Sequence, residues 1–274
     1  MSKAFKDKVC VITGAGSGMG RELALLLTKK GAKVAISDVD MEGLAETERL
    51  VRELGGDPKV DRLNVAEREA VLLYADEVAR HFGKVNQIYN NAGIAFTGDV
   101  EVSEFKDIER VMDVDFWGVV NGTKAFLPYL IASGDGHVIN VSSVFGLIAI
   151  PSQSAYNAAK FAVRGFTEAL IQEMRIAGHP VAVTCIHPGG IKTNIANKAT
   201  AAEGKDAAQL AEKFNKLMAR TSAESAAKTI VDGVEKKKSR VLIGLDATAI
   251  DLMARTLGPT YQRIVAAAAG RLLS

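Results

Sequence analysis

Thr13-Gly14-Ala15-Gly16-Ser17-Gly18-Met19-Gly20 stands between a short apolar run, Lys8 to Thr13, and a helical stretch, Arg21 to Lys30, that stops at Gly31. Glycines let a backbone turn tightly and approach a ligand closely. The free N–H groups and dipole of a helix N-terminus attract a pyrophosphate. A glycine-rich stretch alone is weak evidence, but a strand before it and a helix after it supply the context for dinucleotide binding. The spacing of Gly14, Gly18 and Gly20 is Gly-x-x-x-Gly-x-Gly, which differs from the common Gly-x-Gly-x-x-Gly fingerprint.

The alternation continues outward from this turn. Lys33 to Ser37, Lys59 to Leu63, Val85 to Tyr89, His137 to Val141 and Val181 to Ile186 read as further strands. Met41 to Leu54, Ala66 to Phe82, Phe105 to Ile131 and Ala155 to Ile176 read as the helices between them. Near-continuous apolar strands alternating with helices predict a parallel sheet covered on both faces. No Pro- or Ser-rich linker divides residues 1–274, so one doubly wound α/β domain is expected. Residues 188–220 depart from the rhythm. They begin Pro188-Gly189-Gly190 and read as a long loop with a helix near Ala207 to Ala219, either a lid or a solvated excursion. The tail at 246–274 is apolar and predicted helical, broken at Gly258-Pro259. Its basic residues are few and scattered, which favours packing on the domain or a second subunit over membrane binding.

Hydrophobic residues make up 48% and charged residues 24%, as in ordinary soluble domains. The net charge of +2, from 34 basic and 32 acidic residues, is too balanced to argue for nucleic acid or an anionic membrane surface. Cys10 and Cys185 sit in apolar runs without CxxC or metal-ligand spacing, which predicts buried free thiols in a reducing compartment and no metal. His81, His137, His179 and His187 also lack metal-ligand spacing and read as structural. No run approaches the ~18 apolar residues of a membrane span. The first residues carry no apolar leader, so a cytoplasmic location is expected.

Tyr156 and Lys160 are four apart in Ser-Ala-Tyr-Asn-Ala-Ala-Lys and share one helix face. An unperturbed phenol has a pKa of ~10, too high for acid-base work at neutral pH. A neighbouring ammonium favours the phenolate. A hydroxyl from Ser143 would hold a substrate oxygen beside that phenol. Together the three suit moving a proton on or off an alcohol; a buried Tyr and a solvated Lys on an amphipathic helix is the other reading of this segment. Asp38 ends the second strand, where an acidic residue about 20 positions past the glycines bonds the adenosine ribose hydroxyls. Its charge repels a 2′-phosphate, and Ser17 and Val39 add no cation, which favours NAD over NADP. Asp38 also suits a helix N-cap, as does Asp40.

Four ordered motifs resemble the short-chain dehydrogenase/reductase family, in its compact one-domain branch. They are Thr13 to Gly20; Asn90-Asn91-Ala92-Gly93 after the fourth strand; Ser143 with Tyr156-x-x-x-Lys160; and Pro188-Gly189 followed by Thr193. The resemblance covers nearly the whole chain and is weakest beyond about Ser239. It implies a single Rossmann-type domain with a seven-stranded parallel sheet and helices on both faces. It implies Tyr156 as general acid/base, Lys160 as ribose ligand that depresses the Tyr156 pKa, and Ser143 as the group orienting the substrate oxygen. Asn91 would shape the cofactor pocket, with Ile191 and Thr193 on the nicotinamide carboxamide. Gly14, Ser17, Gly18, Met19, Gly20, Val65, Ala92, Gly93, Pro188 and Gly189 complete the implied cofactor site. A homotetramer or dimer through the helices Phe105 to Ile131 and Ala155 to Ile176 is implied as well.

Two positions depart from the family pattern. Asp115 stands where an Asn is usual and supports a water at the catalytic lysine. An ionised carboxylate only accepts hydrogen bonds, so it should hold Lys160 as a cation and shift the pH profile. Asn64 stands where an acidic residue usually meets the adenine amino group, and its carbonyl oxygen can accept the same bond. The activity implied is NAD-dependent interconversion of a secondary alcohol and a ketone. Phe96, Val144, Phe145, Ile148, Ile150, Ile195 and Met218 are candidates for an apolar substrate pocket, with Gln153 to orient the substrate. The alternative is an NAD-binding regulatory protein with little turnover, supported by Asp115 alone.

Overall fold

All five side chains of β1 (Val9–Thr13) are buried, because helices cover both faces of the strand. In this computed structural model residues 4–209, 212, 216 and 218–273 are described, with 269–273 by backbone alone. Around β1 lie β2 (Lys33–Asp38), β3 (Lys59–Arg62), β4 (Gln87–Asn90), β5 (Gly136–Val141), β6 (Val181–Pro188) and β7 (Arg240–Ile243). Their order is β7-β6-β5-β4-β1-β2-β3, parallel throughout. This is the seven-stranded parallel sheet of a single α/β domain.

The helices are α1 (Gly18–Lys29), α2 (Met41–Glu53), α3 (Arg68–Phe82), α4 (Phe105–Met112), α5 (Gly118–Ala132), α6 (Ser154–Ile176), α7 (Ala223–Glu235), α8 (Leu245–Leu257) and α9 (Tyr261–Leu273). Side chains alternate across a strand, so β1 feeds two cores. Cys10 and Ile12 join Leu23, Leu27 and Ile230 on the face covered by α1 and α7. Val9 and Val11 join Val78, Phe126 and Leu170 on the face covered by α3, α5 and α6. Cys10 and Cys185 are buried and free, and burial pushes both thiols up to about 12.

Three features differ from the sequence reading. The helix expected over Phe105 to Ile131 is interrupted by a π turn, Asp113–Trp117. Such turns insert a residue into the helical repeat and recur at functional sites; this one buries Asp115 while Asp113 stays exposed. Helix α7 was not anticipated, and the seventh strand implied by the family resemblance, to which no residues had been assigned, is β7. The helix expected near Ala207 to Ala219 lies largely outside the described residues. Elsewhere in 188–220, Ile191–Lys192 pairs with Thr221–Ser222 and Thr200–Ala201 with Phe96–Thr97. The tail is helical as read, with a 3-10 turn at Gly258–Thr260. Among the described residues no helix is long and apolar enough to cross a membrane.

Candidate active site

Strands β1 and β4 are neighbours, while β2 continues on one side of the pair and β5 on the other. Their connections therefore leave in opposite directions, opening a crevice beyond the strands' carboxyl ends. The glycine turn after β1 and the Asn91–Gly93 loop after β4 meet there. Gly14 has φ +66°, and a Cβ on it would fall 2.7 Å from the Ala92 Cα. A Cβ on Gly20 would fall 2.1 Å from the Gly14 carbonyl oxygen. Only glycine permits this approach. Thr13 Oγ1 accepts from the Asn91 and Ala92 amides at 3.1 Å each. Asn91 Nδ2 donates back to the Thr13 and Gly14 carbonyls at 2.9 and 3.1 Å.

Of the residues expected at the cofactor, Gly14, Ser17, Gly18, Met19, Asp38, Asn64, Val65, Asn91, Ala92, Gly93 and Thr193 line one cleft of about 250 Å³. Gly20 lies beneath it, buried. The Ser17 side chain makes no capping bond, and Ser17, Gly18 and Met19 face the cleft, so the positive end of α1 is turned toward it. Asp38 accepts from the Gly16 amide at 2.8 Å and from the Asp40 amide at 3.0 Å. One expectation is corrected here: a cation does stand nearby. Lys198 lines the same cleft and pairs with Asp40 at 2.5 Å. Asn64 Oδ1 already accepts from the Ala66 amide at 3.2 Å, while its Nδ2 donates to Glu67 at 2.9 Å.

Met19, Asn91, Gly93 and Thr193 also border a second cavity of about 280 Å³, so the two form one continuous cleft. Ser143, Phe145, Gln153, Tyr156, Lys160, Pro188, Gly189 and Ile191 line this second part, together with Val144, Ile150, Ile195 and Met218. Phe96 and Ile148 do not. Phe96 packs against Val111, Ala155 and Ala159 in a small core, and Ile148 is buried away from the opening. Pro151, Ala95, Ala199 and Thr200 were missed as lining residues. They sit in loops at the carboxyl ends of the strands, a position that topology reveals and spacing does not.

Ser143 follows β5 and opens a 3-10 turn, its Oγ accepting from the Phe145 amide at 3.1 Å. The Ser142 hydroxyl donates to the Lys160 carbonyl at 2.8 Å, fixing α6 against β5. Tyr156 is half-buried, edge-on to Phe145 at 6.3 Å, with the Ser143 hydroxyl near its phenol. Lys160 Nζ stands 5.4 Å from the centre of that ring and donates to the Val141 carbonyl at 3.2 Å. It also lies 3.0 Å from Asp115 Oδ2, with both side chains buried; the approach is an ion pair outside hydrogen-bond geometry. Asp115 Oδ1 accepts from the Ile94 amide at 2.8 Å.

Burial lowers the Lys160 pKa, but the charge of Asp115 outweighs it with help from Tyr156, and the net shift is upward. Burial raises the Asp115 carboxyl above its usual value, against the pull of Lys160 and the Ile94 amide. That carboxyl is still the stronger acid of the two, so a proton shared by the pair rests on Lys160. Lys160 does pull the Tyr156 pKa down as expected, but it does not prevail. Burial raises the phenol, Lys160 lowers it, Asp115 raises it again, and the net shift is upward.

A buried polar chain behind the site was also missed. Asn90 Nδ2 donates to Thr123 at 3.1 Å and to Asn140 Oδ1 at 2.8 Å, and Asn140 Nδ2 donates to Thr167 at 3.0 Å. It joins β4, α5, β5 and α6, the elements that carry Asn91, Ser143 and Tyr156. An amide in an otherwise apolar strand, Asn140 in His137 to Val141, was the available signal.

The model of the short chain dehydrogenase family matches residues 8–204. The chain belongs to that family. SadH of Mycobacterium tuberculosis, which carries an oxidoreductase name, is 66% identical over 264 residues, 96% of each chain. Dehydrogenase/reductase SDR family member 7B of the mouse is 36% identical, covering 98% of this chain and 83% of its own. A short-chain dehydrogenase/reductase of Burkholderia phymatum, solved in complex with NAD, superposes with a TM-score of 0.86 at 29% identity, over 93% of this chain and 95% of the other. This short-chain dehydrogenase is thus an oxidoreductase of a nicotinamide-dependent family. Its cleft fits such a cofactor: glycines where a Cβ would clash, an open helix N-terminus, and a carboxylate at the end of β2.

Proposed function

We propose that this short-chain dehydrogenase interconverts a hydrophobic secondary alcohol and its ketone, with NAD preferred over NADP. The observation that carries the reading is Ser143, Tyr156 and Lys160 together at one wall of a largely apolar cavity. The glycine turn, Asp38 and the Asn91–Gly93 loop would hold a nicotinamide dinucleotide, which would supply or accept the hydride. The Ser143 hydroxyl holds the substrate oxygen, and Tyr156 gives or takes its proton. Val144, Phe145, Ile150, Ile195 and Met218 exclude water and suit an apolar substrate. Gln153, donating to Thr97 at 2.7 Å, is the polar group that orients it. Residues of 188–220 border both parts of the cleft, which supports their reading as a lid. Exposed Phe105, Trp117 and Phe161 support a dimer or tetramer through α4, α5 and α6. A screen of secondary alcohols and ketones with NAD and with NADP, followed by nicotinamide absorbance, tests the reading. Turnover confined to small, highly charged substrates would exclude the hydrophobic class.

The cofactor preference rests on Asp38, with Lys198 already neutralised by Asp40. Removing the repelling carboxylate in Asp38→Ser should raise the ratio of kcat/KM for NADP over NAD by about tenfold or more, equivalent to ~1.4 kcal/mol. An unmoved ratio would show that Asp38 does not set the preference.

The tail beyond the family-matched residues touches both walls of the substrate cavity. Asp246 Oδ2 accepts from the Gly190 amide at 2.8 Å, and the Tyr261 hydroxyl accepts from the Ala149 amide at 2.9 Å. Tyr261→Phe deletes one bond that fixes the 145–151 wall, about 1 kcal/mol. KM for the alcohol should rise about fivefold while the Kd for NAD stays constant. A change in cofactor Kd instead would assign Tyr261 to general stability.

A further inference from the structure

We propose that Asp115 is a positioning residue that opposes the pull of Lys160 on the Tyr156 phenol and so favours the O–H form that donates in carbonyl reduction. The proposal rests on the alcohol–ketone reading above. Its basis is the arrangement of charge. Lys160 alone would favour a phenolate beside it. Asp115 opposes that field, because its carboxylate meets Nζ at 3.0 Å with no space for water between them. The carboxylate cannot swing away, since the Ile94 amide holds Oδ1 and the π turn buries the side chain completely. Gly93 closes the other side: a Cβ there would lie 3.3 Å from Asp115 Oδ2 and 3.5 Å from Lys160 Nζ.

Among the described residues no other charge faces the phenol. From α6 the phenol meets Lys160, from the π turn Asp115, and from the turn after β5 the neutral hydroxyl of Ser143. Cys185 on β6 stands behind Lys160 with its thiol pushed up to about 12, so it is neutral. The ring's aromatic neighbour, Phe145, and the small core that Tyr156 joins, with Phe96, Ala155, Ala159 and Phe116, carry no charge. A phenol beside a neutralised ion pair, half removed from water, rests in its acid form. In reduction its O–H bond breaks as the product O–H forms, with the hydride drawn from the reduced nicotinamide dinucleotide, and solvent returns the proton to the phenolate. Alcohol oxidation needs the phenolate first and is pushed to alkaline pH.

Ultraviolet titration of tyrosinate, with and without saturating NAD, tests this without turnover. The Tyr156 component is the part of the signal that Tyr156→Phe removes. Asp115→Asn keeps an oxygen for the Ile94 amide and loses the charge. Its Tyr156 midpoint should fall by about one pH unit or more, roughly tenfold in the ionisation constant. Asp115→Ser should shift it in the same direction, and the pH profile of alcohol oxidation should follow. A midpoint that stays in place or rises in both variants would overturn the role. A falling midpoint in a protein that turns over no alcohol or ketone would overturn the substrate reading and uphold the role.

Discussion

Tyr156→Phe should lower kcat by about 10³-fold in both directions, within the range set by loss of a positioned general acid-base, while the Kd for NAD stays within about twofold. The substitution removes one hydroxyl. The ring keeps its edge-on contact with Phe145 and its place beside the Lys160 ammonium. The cofactor cleft is built from the glycine turn, Asp38 and the Asn91–Gly93 loop, none of which the hydroxyl supports. Steady-state rates with the best alcohol of the screen, paired with a fluorescence titration of NAD, separate the two effects. Retention of more than a tenth of the activity would transfer the proton to another group, and a wild-type protein that binds NAD but turns over none of the screened substrates would favour the regulatory reading. Equal losses in turnover and NAD affinity would mean that the phenol organises the cleft instead.

The parts legible in the sequence were those encoded by local pattern. The glycine turn is framed by a buried apolar strand and a periodic helix, and both periods survive folding because one sheet and its covering helices bury them. The Tyr156 and Lys160 spacing holds because α6 is regular through Ser154–Ile176. The π turn at Asp113–Trp117 leaves no such trace, since its residues keep helical backbone angles and differ only in hydrogen-bond partner. Strand β7 was hidden by its brevity, four residues after the Lys236-Lys237-Lys238 run, and pairs with β6 across a long sequence separation. Phe96 and Ile148 show that an apolar side chain near a site can as well serve the core as the substrate. The upward shift of Tyr156 is a balance between burial and two opposite charges from different elements. Spacing revealed the Lys160 contribution alone.

Stability should fall by about 4 kcal/mol between pH 7 and pH 5, through His137 and His187 together. Both are buried, so neither value needs discounting for solvent. Thr184 donates its hydroxyl to the Lys238 carbonyl at 2.6 Å, so His137 Nε2 must be the donor in its 2.7 Å bond to Thr184. His187 Nδ1 faces the Ser143 carbonyl at 3.0 Å and must likewise carry the proton, which leaves Nε2 unprotonated, buried and without a partner. A second proton on His187 would sit on Nε2, where nothing among the described residues receives it, and one on His137 would charge a buried ring close to Lys237 and Lys8. Burial, aided by Lys237 and Lys8, pushes His137 down to about 3. Burial pushes His187 to about 4, against the Ser143 carbonyl that favours the charged ring. The ordinary value is 6.5, so the unfolded chain binds more protons throughout this window. The contribution is full above 6.5 and is lost as pH falls toward 4, at about 1.4 kcal/mol per histidine per pH unit. Carboxylates held below their usual range, such as Asp99 and Asp135, lose their contribution only at lower pH and leave this window clear. Urea unfolding measured from pH 7 to pH 5 gives the slope. His137→Gln and His187→Asn each keep the donating N–H and cannot titrate, so each should flatten the slope by about half. A wild-type stability that stays level over this range would mean that both rings find acceptors once protonated, and that His187 Nε2 is not closed off behind Ser143.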